Sequence, residues 1–323
     1  MRTVLKERLL FETDDLLPID ASFSKKSSIV VCHDDVLHAC DTLPSATFRL
    51  IVSSPPYNIG KEYETAVGLE EYLNQQKQVL SRLIRLLTNN GSIVWQVGNY
   101  VHDGEIFPLD IYFYPLFKEL GLKLRNRVVW HFEHGLHASK RLSGRYEVLL
   151  WFTKSDDYVF NLDPIRVPSK YPGKRYYKGK KKGLPSGNPL GKNPSDFWTF
   201  LQNEQEAGII DIPNVKSNHP EKTEHPCQFP VELIERCVLA FTNEHDWVLD
   251  PFGGVGSTVL AALKHNRRGM TIDSQARYCK IAADRINEFQ RGNLKLRPLG
   301  KPIHQPSGNE SVTKKPVEWG EDK

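Results

Sequence analysis

Short apolar runs alternate with amphipathic segments along most of the chain. Runs that predict buried strands lie at 29–32, 50–52, 92–97, 127–132, 146–153, 247–250 and 269–272. Between several of them, apolar residues recur at helical spacing, most regularly at 69–87, 108–120, 234–241 and 274–289. The first of these helices is expected to end at Asn89-Asn90-Gly91. Strands that alternate with helices predict an α/β fold, built on a mainly parallel sheet with helices on both faces.

The stretch Ser54-Pro55-Pro56-Tyr57 follows the apolar run 50–52 directly. Its two prolines end the strand and fix an extended turn at the carboxyl end, where open α/β sheets bind ligands. The Ser54 oxygen and the Pro55 carbonyl can accept the N–H bonds of an exocyclic amine on a base. Tyr57 offers a face on which a base extruded from a duplex can stack. All four are candidate catalytic residues, although the stretch alone is more typical of an ordinary turn.

A second turn, rich in glycine, separates the strand at 247–250 from a helix that reaches about residue 265. A strand at 269–272 and then Asp273 follow, and this succession is typical of a nucleotide-binding unit. The helix N-terminus favours a carboxylate or a phosphate, and Asp273 is placed to accept ribose hydroxyls. Neither Gly-x-Gly-x-x-Gly nor Gly-Lys-Ser/Thr occurs, so S-adenosylmethionine fits better than a dinucleotide or a triphosphate. A purely structural turn is the alternative. The candidate cofactor-binding residues of this unit are Asp250, Pro251, Phe252, Gly253, Gly254, Gly256, Ser257, Thr258 and Asp273.

Two further polar segments follow predicted strands. Asp35 comes after the run 29–32, and its carboxylate would either receive an amine or hydroxyl of a ligand or cap a helix over 36–43. The segment between His131 and His137 is rich in histidine. Gly135 and the loop context favour a polar loop beside the active cleft over a metal site, so no metal centre is predicted.

Composition narrows the class of protein. The 323 residues are 25% charged and 39% hydrophobic, with a net charge of +4, which is ordinary for a soluble protein. No apolar run is long enough to cross a bilayer, and the N-terminus lacks the apolar core of a signal peptide. Five scattered cysteines without a Cys-x-x-Cys pair indicate a reducing compartment and no structural zinc. These features predict a cytoplasmic protein without a membrane partner.

The segment from 166 to 192 is strongly basic, with nine Lys and Arg and no Asp or Glu. Three tyrosines are interleaved with many Pro and Gly residues, which makes it poor material for a core. A solvated loop is one interpretation, and a surface that binds nucleic-acid phosphates is the favoured one. Phosphate contacts carry no sequence information, so the residues that recognise bases must lie elsewhere in this region. The candidate DNA-binding residues are Lys170, Lys174, Arg175, Lys178, Lys180, Lys181 and Lys182.

Together these motifs resemble the amino-group DNA methyltransferases of the permuted β class. Ser54-Pro55-Pro56-Tyr57 is similar to the catalytic motif of that family, and residues 250–258 to its cofactor loop. The segment that contacts the methionine end of the cofactor in that family resembles His225-Pro226-Cys227-Gln228-Phe229-Pro230. Asp35 resembles an acidic position that lies upstream of the catalytic strand. The resemblance implies cofactor contacts for Asp35, His225, Pro226 and Phe229.

The same resemblance implies a Rossmann-like fold of S-adenosylmethionine-dependent methyltransferases, with a mainly parallel seven-stranded sheet and an inserted DNA-recognition region. We expect a catalytic part at 1–154, a basic target-recognition insert at 155–221, a cofactor-binding part at 222–292 and a flexible tail at 293–323. A restriction–modification role would make double-stranded DNA a partner and a cognate restriction endonuclease a candidate partner. The oligomeric state stays open.

The chemistry of the target is less constrained. Pro226-Cys227-Gln228 resembles the nucleophile motif of cytosine-C5 methyltransferases, but those enzymes place the cofactor loop first, so a catalytic Cys227 is disfavoured. Serine as the first catalytic residue resembles the cytosine-N4 enzymes, whereas aspartate is commoner among adenine-N6 enzymes. Cytosine-N4 methylation is favoured and adenine-N6 is second. Methylation of RNA or of a small-molecule amine, and a nucleic-acid-binding module without catalysis, are further alternatives.

Overall fold

The computed structural model describes residues 16–58, 67–132, 137–198, 212–216 and 219–301. Its strands are β1 (Ile19–Asp20), β2 (Ile29–His33), β3 (Phe48–Ser53), β4 (Leu87–Val97), β5 (Asn99–His102), β6 (Glu105–Pro108), β7 (Lys123–His131), β8 (Tyr146–Thr153), β9 (Phe197–Trp198), β10 (Trp247–Asp250) and β11 (Arg268–Asp273). Its α-helices are α1 (Val36–Thr42), α2 (Leu69–Leu86), α3 (Leu109–Glu119), α4 (Val231–Phe241), α5 (Ser257–Lys264) and α6 (Ala276–Gln290).

Within the described part of the chain, nine strands form one sheet in the order β1-β2-β11-β10-β3-β4-β8-β7-β9. β8 runs antiparallel to β4 and β7, and the other neighbours pair in parallel. The seven inner strands of this order are the predicted sheet, namely β2, β11, β10, β3, β4, β8 and β7. The two-residue strands β1 and β9 extend its two edges. A separate hairpin joins β5 and β6.

Side chains of the central strands alternate between two cores. Leu50 and Val52 on β3 belong to the cluster that also contains apolar residues of α4, α5 and α6. Ile51 points to the opposite face, where residues of α1, α2 and α3 pack. All three side chains are fully buried. A strand covered on both faces has a continuous apolar run as its sequence, which explains why the pattern at 50–52 predicted it.

The predicted end of the first long helix is wrong in position. α2 ends at Leu86, and Asn89, Asn90 and Gly91 lie within β4. A side chain at Gly91 would place its Cβ 2.9 Å from the backbone oxygen of Arg49. The glycine therefore permits close approach of β4 to β3, and does not form a left-handed helix cap.

Both ends of the basic insert are anchored to the domain. Val167 and Trp198 are buried in the core cluster on the α4 side of the sheet, and β9 pairs with β7. Near the other end, the indole N–H of Trp130 donates to the carbonyl of Ile212 at 2.8 Å. The insert therefore extends the edge of the sheet, and the boundaries at 154 and 221 stay predictions.

The chain after α6 does not leave the domain where the tail was predicted to begin. Leu294 and Leu296 pack against the same core cluster, and the buried Arg297 forms an ion pair with Glu232. The predicted flexible tail is therefore wrong for these residues, whose apolar spacing was too short to register as an element. Residues 302–323 lie outside the described residues.

The described residues contain neither a membrane-spanning helix nor a cluster of metal ligands. None of the described helices is long and apolar enough to span a membrane. No group of three or more His, Cys, Asp or Glu side chains in the described ranges could hold a metal ion. The central part of the histidine-rich segment, 133–136, lies outside those ranges.

Candidate active site

The carboxyl ends of β3, β10 and β11 meet at one edge of the sheet, since these strands are adjacent and parallel. A cavity of about 540 Å³ opens there. Two turns contribute to its wall. We call Ser54-Pro55-Pro56-Tyr57 the catalytic turn, after its predicted role, and residues 251–256 the glycine turn. The predicted site residues that line the cavity are Asp35, Ser54, Pro55, Pro56, Tyr57, His225, Pro226, Phe229, Pro251, Phe252, Gly253, Gly254, Ser257 and Asp273.

Asp250, Gly256 and Thr258 are not among the residues that line the cavity. The Asp250 carboxylate is fully buried and accepts hydrogen bonds from the hydroxyls of Ser53 and Thr258, both at 2.6 Å. It also accepts one from the N–H of Phe252 at 3.1 Å. Burial raises the pKa of Asp250 to about 6. Asp250 therefore connects the strand before the catalytic turn to the start of α5, behind the cavity.

The glycine turn is shaped by close contacts. A Cβ at Gly253 would lie 1.3 Å from the Thr271 hydroxyl oxygen. Gly254 has a φ of +49°, and a Cβ there would lie 3.1 Å from Nε2 of His225. Only glycine fits at position 253, and glycine is favoured at 254, so the backbone of the turn approaches β11 and His225 directly.

Asp273 closes the turn from the end of β11. Its Oδ2 accepts the N–H of Gly254 at 2.9 Å, and its Oδ1 accepts the N–H of Gln275 at 2.7 Å. Burial raises the pKa of Asp273, against the lowering effect of these two bonds. The carboxylate is thus held at the cavity wall in one orientation, with lone pairs left for hydroxyl donors.

The catalytic turn is fixed by a second set of bonds. The Ser54 hydroxyl donates to the hydroxyl of Tyr57 at 3.0 Å. Behind the turn, the Tyr72 hydroxyl donates to the carbonyl of Pro56 at 2.7 Å. Because the Ser54 proton is directed at Tyr57, the serine oxygen presents lone pairs as an acceptor for another N–H group.

Glu147 and Gln96 also line the cavity, and neither was predicted. They lie near the facing ends of the antiparallel strands β8 and β4, and the Gln96 side-chain amide donates to the Glu147 carboxylate. The Tyr57 hydroxyl lies 3.4 Å from the same carboxylate oxygen. Burial raises the pKa of Glu147. The available signal was a lone acidic residue at the start of the apolar run of β8.

The segment before α4 forms another part of the wall. The His225 ring packs edge-on against Tyr278 with 4.5 Å between centroids, and its Nδ1 accepts the N–H of Cys227 at 3.2 Å. Cys227 itself also lines the cavity. Tyr278 also lines the cavity, although the sequence predicted only a helix over 274–289 for its segment.

Asp35 caps a helix and also lies at the cavity, so the two roles that the sequence left open are compatible. Its Oδ1 accepts the N–H groups of Leu37 and His38 at 2.9 and 3.3 Å, which caps α1. The same residue lines the cavity. The cap is therefore observed, and a contact with a ligand stays a prediction.

The predicted DNA-binding residues lie apart from the cavity wall, on an exposed surface. A small hairpin is closed by bonds from Tyr176 N–H to the Leu184 carbonyl and from Ser186 N–H to the Lys174 carbonyl, at 3.0 and 2.9 Å. We call residues 174–186 the basic hairpin. Cations lie over tyrosine rings in it, for example Lys181 over Tyr176 at 5.8 Å.

The family of the chain follows from comparison with known proteins. The model of the N6/N4 DNA methylase family matches residues 48–284. The type II methyltransferase M.BglII of Bacillus subtilis is 46% identical over 82% of this chain and 70% of its own length. M.ScaI of Streptomyces caespitosus is 35% identical over 82% of this chain and 83% of its own length.

A solved structure shares the fold. The cytosine-N4-specific PvuII DNA methyltransferase superposes with a TM-score of 0.60 at 18% identity, over 81% of this chain and 91% of that one. The predicted α/β fold with a mainly parallel sheet is thus confirmed, and it is shared with that methyltransferase. With a family model that covers most of the sequence, the chain belongs to the N6/N4 DNA methylase family.

Proposed function

We propose that this protein transfers a methyl group from S-adenosylmethionine to the exocyclic N4 of cytosine within a short sequence of double-stranded DNA. One observation carries the proposal: the catalytic turn and the glycine turn line the same cavity of about 540 Å³. That volume lies within the range of roughly 300–1,000 Å³ that is usual for ligand pockets. A methyl donor and an extruded base can therefore meet there.

The residues around the glycine turn fit the methyl donor, which supplies an electrophilic methyl group when bound. Asp273 is oriented by Gly254 and Gln275 to accept ribose hydroxyls. α5 begins at Ser257, and its N-cap residue Gly256 supplies no side-chain cap, so the N-terminus of the helix favours a carboxylate. The remaining residues assigned to the donor, which border the same cavity, are Asp35, His225, Pro226 and Phe229.

The catalytic turn fits an amine. An exocyclic amine on a base is a weak nucleophile, since its lone pair is delocalised into the ring. The Ser54 oxygen and the Pro55 carbonyl are assigned to accept its N–H bonds, which orients the lone pair towards the donor. The Tyr57 ring is assigned to stack on the base, a contact worth roughly 1–3 kcal/mol.

Serine as the first residue of the catalytic turn resembles the cytosine-N4 enzymes, and this resemblance favours cytosine-N4. The neutral hydroxyl of Ser54 can orient either amine, so adenine-N6 is the alternative of the same class. The deciding experiment is nucleoside mass spectrometry of DNA from cells that express the protein, with the Ser54→Ala variant as control. We expect N4-methylcytosine with the wild type and little or none with the variant. N6-methyladenine instead would transfer the proposal to the alternative, and unmodified DNA would favour a binding module.

We assign the protein to a restriction–modification system, in which a cognate endonuclease would recognise the same DNA sequence. The exposed basic hairpin is assigned to the phosphates of that DNA. Sequencing of the modified positions would identify the recognition site. A modification without a common sequence context would contradict this assignment.

A further inference from the structure

Three groups form a hydrogen-bonded path that leads away from the proposed position of the amine. The Ser54 hydroxyl donates to the Tyr57 hydroxyl at 3.0 Å. The Tyr57 hydroxyl lies 3.4 Å from Oε2 of Glu147, and 3.5 Å from the Gln96 carbonyl as a second acceptor. The Gln96 side chain in turn donates to Glu147 and holds its carboxylate in place. We call Ser54, Tyr57 and Glu147 the relay.

Methyl transfer to an amine releases one proton. The N–C bond forms as the S–C bond of the donor breaks, and the methylated nitrogen is neutral only after it loses one of its N–H protons. Ser54 is a neutral hydroxyl and cannot keep that proton, since it has no charge to neutralise. Another group must therefore accept it, and Glu147 is the carboxylate that the described hydrogen bonds connect to Ser54.

We infer that Glu147 is the terminal proton acceptor of the reaction and acts through Tyr57 and Ser54. The amine proton passes to the Ser54 oxygen as the serine proton passes to the Tyr57 oxygen and the tyrosine proton passes to Oε2 of Glu147. Both hydroxyls are unchanged in proton count, and Glu147 becomes neutral until it releases the proton to solvent. This role rests on the proposed methyl transfer to DNA, and it makes Glu147 a positioning residue that need not contact the base.

The surroundings of the relay suit these roles. Burial raises the pKa of Glu147, which makes its carboxylate a better proton acceptor than an exposed one. Burial raises the pKa of Tyr57 well above 10, so the phenol stays protonated and passes a proton without storing charge. β7 contributes Trp130 opposite Glu147 in the sheet, and the catalytic turn contributes Tyr57. The other described titratable side chains that line the cavity are Asp34, Asp35, Lys216, His225, Cys227, Asp273 and Tyr278.

Two substitutions interrupt the relay with little change of shape. Tyr57→Phe keeps the ring for stacking and removes the hydroxyl, and Glu147→Gln keeps an oxygen that accepts from Gln96 and removes the charge. We expect each to lower the single-turnover rate of methylation about 100-fold, the usual scale of acid–base assistance. The double variant is expected to be no slower than the slower single variant, because both interrupt one path.

The measurements separate the relay from the proposed function. Affinities for S-adenosylmethionine and for DNA, measured by titration without turnover, are expected to be unchanged. Matched controls, Tyr114→Phe and Glu105→Gln, alter exposed residues of the same types and are expected to retain the wild-type rate. If the wild type transfers no methyl group to DNA, the proposed function fails. If the wild type is active and Glu147→Gln equals it, only the relay fails.

The pH dependence is the second readout. In the wild type, the rate should fall as pH decreases through the raised pKa of Glu147, since the protonated carboxyl cannot accept. Glu147→Gln should lack that acidic limb, and Glu147→Asp should restore part of both the rate and the limb. An acidic limb that is unchanged in Glu147→Gln would overturn the assignment, as would rate losses of the two single variants that multiply in the double variant.

Discussion

Asp250 is placed behind the cavity but determines how its two halves meet. It receives hydrogen bonds from the hydroxyls of Ser53, next to the catalytic turn, and of Thr258, in the first turn of α5. Both bonds are 2.6 Å long and fully enclosed, with Asp250 at 0% exposure. A buried carboxylate with three donors is satisfied, yet its charge still costs solvation energy. The residue therefore couples the two turns at a cost in free energy that depends on pH.

The pH dependence of that cost can be measured. Burial raises the pKa of Asp250 from 3.8 to about 6, so between these values the folded protein holds a proton that the unfolded chain has released. The free energy of unfolding therefore falls as pH rises through this window, and the contribution is constant above it. Asp250→Asn keeps the size and removes the ionisation. We expect its stability relative to wild type to increase by on the order of 2–3 kcal/mol between pH 4 and pH 7.

Urea unfolding of both proteins across this pH range tests the expectation. The difference between variant and wild type isolates Asp250 from Glu147, Glu232 and Asp273, whose pKa values burial also raises. Stability curves that stay parallel across the range would show that Asp250 is not protonated near pH 6 in the folded protein.

At the scale of single residues, the sequence predicted the polar side chains that come directly after a strand. It missed the polar side chains on neighbouring strands that contact them in the cavity. Ser54 and Asp273 were identified because each comes directly after an apolar run, and in a parallel sheet such positions share one edge. Glu147 lies at the start of its strand, and its place beside Tyr57 depends on β8 running antiparallel to β4. Local periodicity contains no information on that pairing, so neither Glu147 nor Gln96 could be assigned.

Among the elements, the basic hairpin is assigned to DNA phosphates because of its positive charge alone. Its lysines are exposed, and their contacts with neighbouring tyrosines are cation–π contacts at the surface, as for Lys178 over Tyr177. Surface contacts of this kind stabilise a fold weakly. Substitution of these lysines should therefore change binding to DNA with little effect on stability.

We expect the triple variant Lys180→Gln, Lys181→Gln and Lys182→Gln to bind double-stranded DNA more weakly at every sequence tested. The slope of log K against log salt concentration is negative, and its magnitude should decrease by about 0.9 for each phosphate that the variant no longer neutralises, up to roughly 2.7 for three. Fluorescence anisotropy at several salt concentrations gives both numbers. A control triple variant at Lys25, Lys26 and Lys280, which are exposed elsewhere, should keep the wild-type slope. Equal slopes in both triple variants would remove the hairpin from the DNA interface.

Across the whole molecule, apolar runs predict which segments are buried strands but not the order of those strands in the sheet. The runs predicted that β3 and β10 are buried, and both are. No local pattern predicts that these two strands are neighbours, since nearly 200 residues separate Ser53 from Asp250. The two halves of the site meet only because the chain returns to the middle of its own sheet, where β10 enters between β3 and β11.

The chain after α6 returns to the domain, and its buried Arg297 contributes to stability. Arg297 lies beyond the predicted end of the domain, but its side chain is only 8% exposed and pairs with Glu232, which is 0% exposed. Its backbone N–H also donates to the Glu221 carboxylate at 3.1 Å. Removal of the guanidinium leaves a buried carboxylate whose closest remaining described cation is Arg236, at 3.8 Å.

Arg297→Ala should therefore destabilise the protein strongly, by about 3–5 kcal/mol, because breaking a buried pair leaves a charge without compensation. The matched control is Arg291→Ala, since Arg291 is 52% exposed and pairs with the exposed Glu288. Its removal should cost no more than about 1 kcal/mol.

Because burial already raises the pKa of Glu232, the Arg297→Ala variant should also regain stability as pH falls and this carboxyl is protonated. Urea unfolding at neutral and acidic pH measures both effects. Equal, small effects of the two arginine substitutions would mean that residues 294–301 detach from the domain in solution, as a flexible tail would.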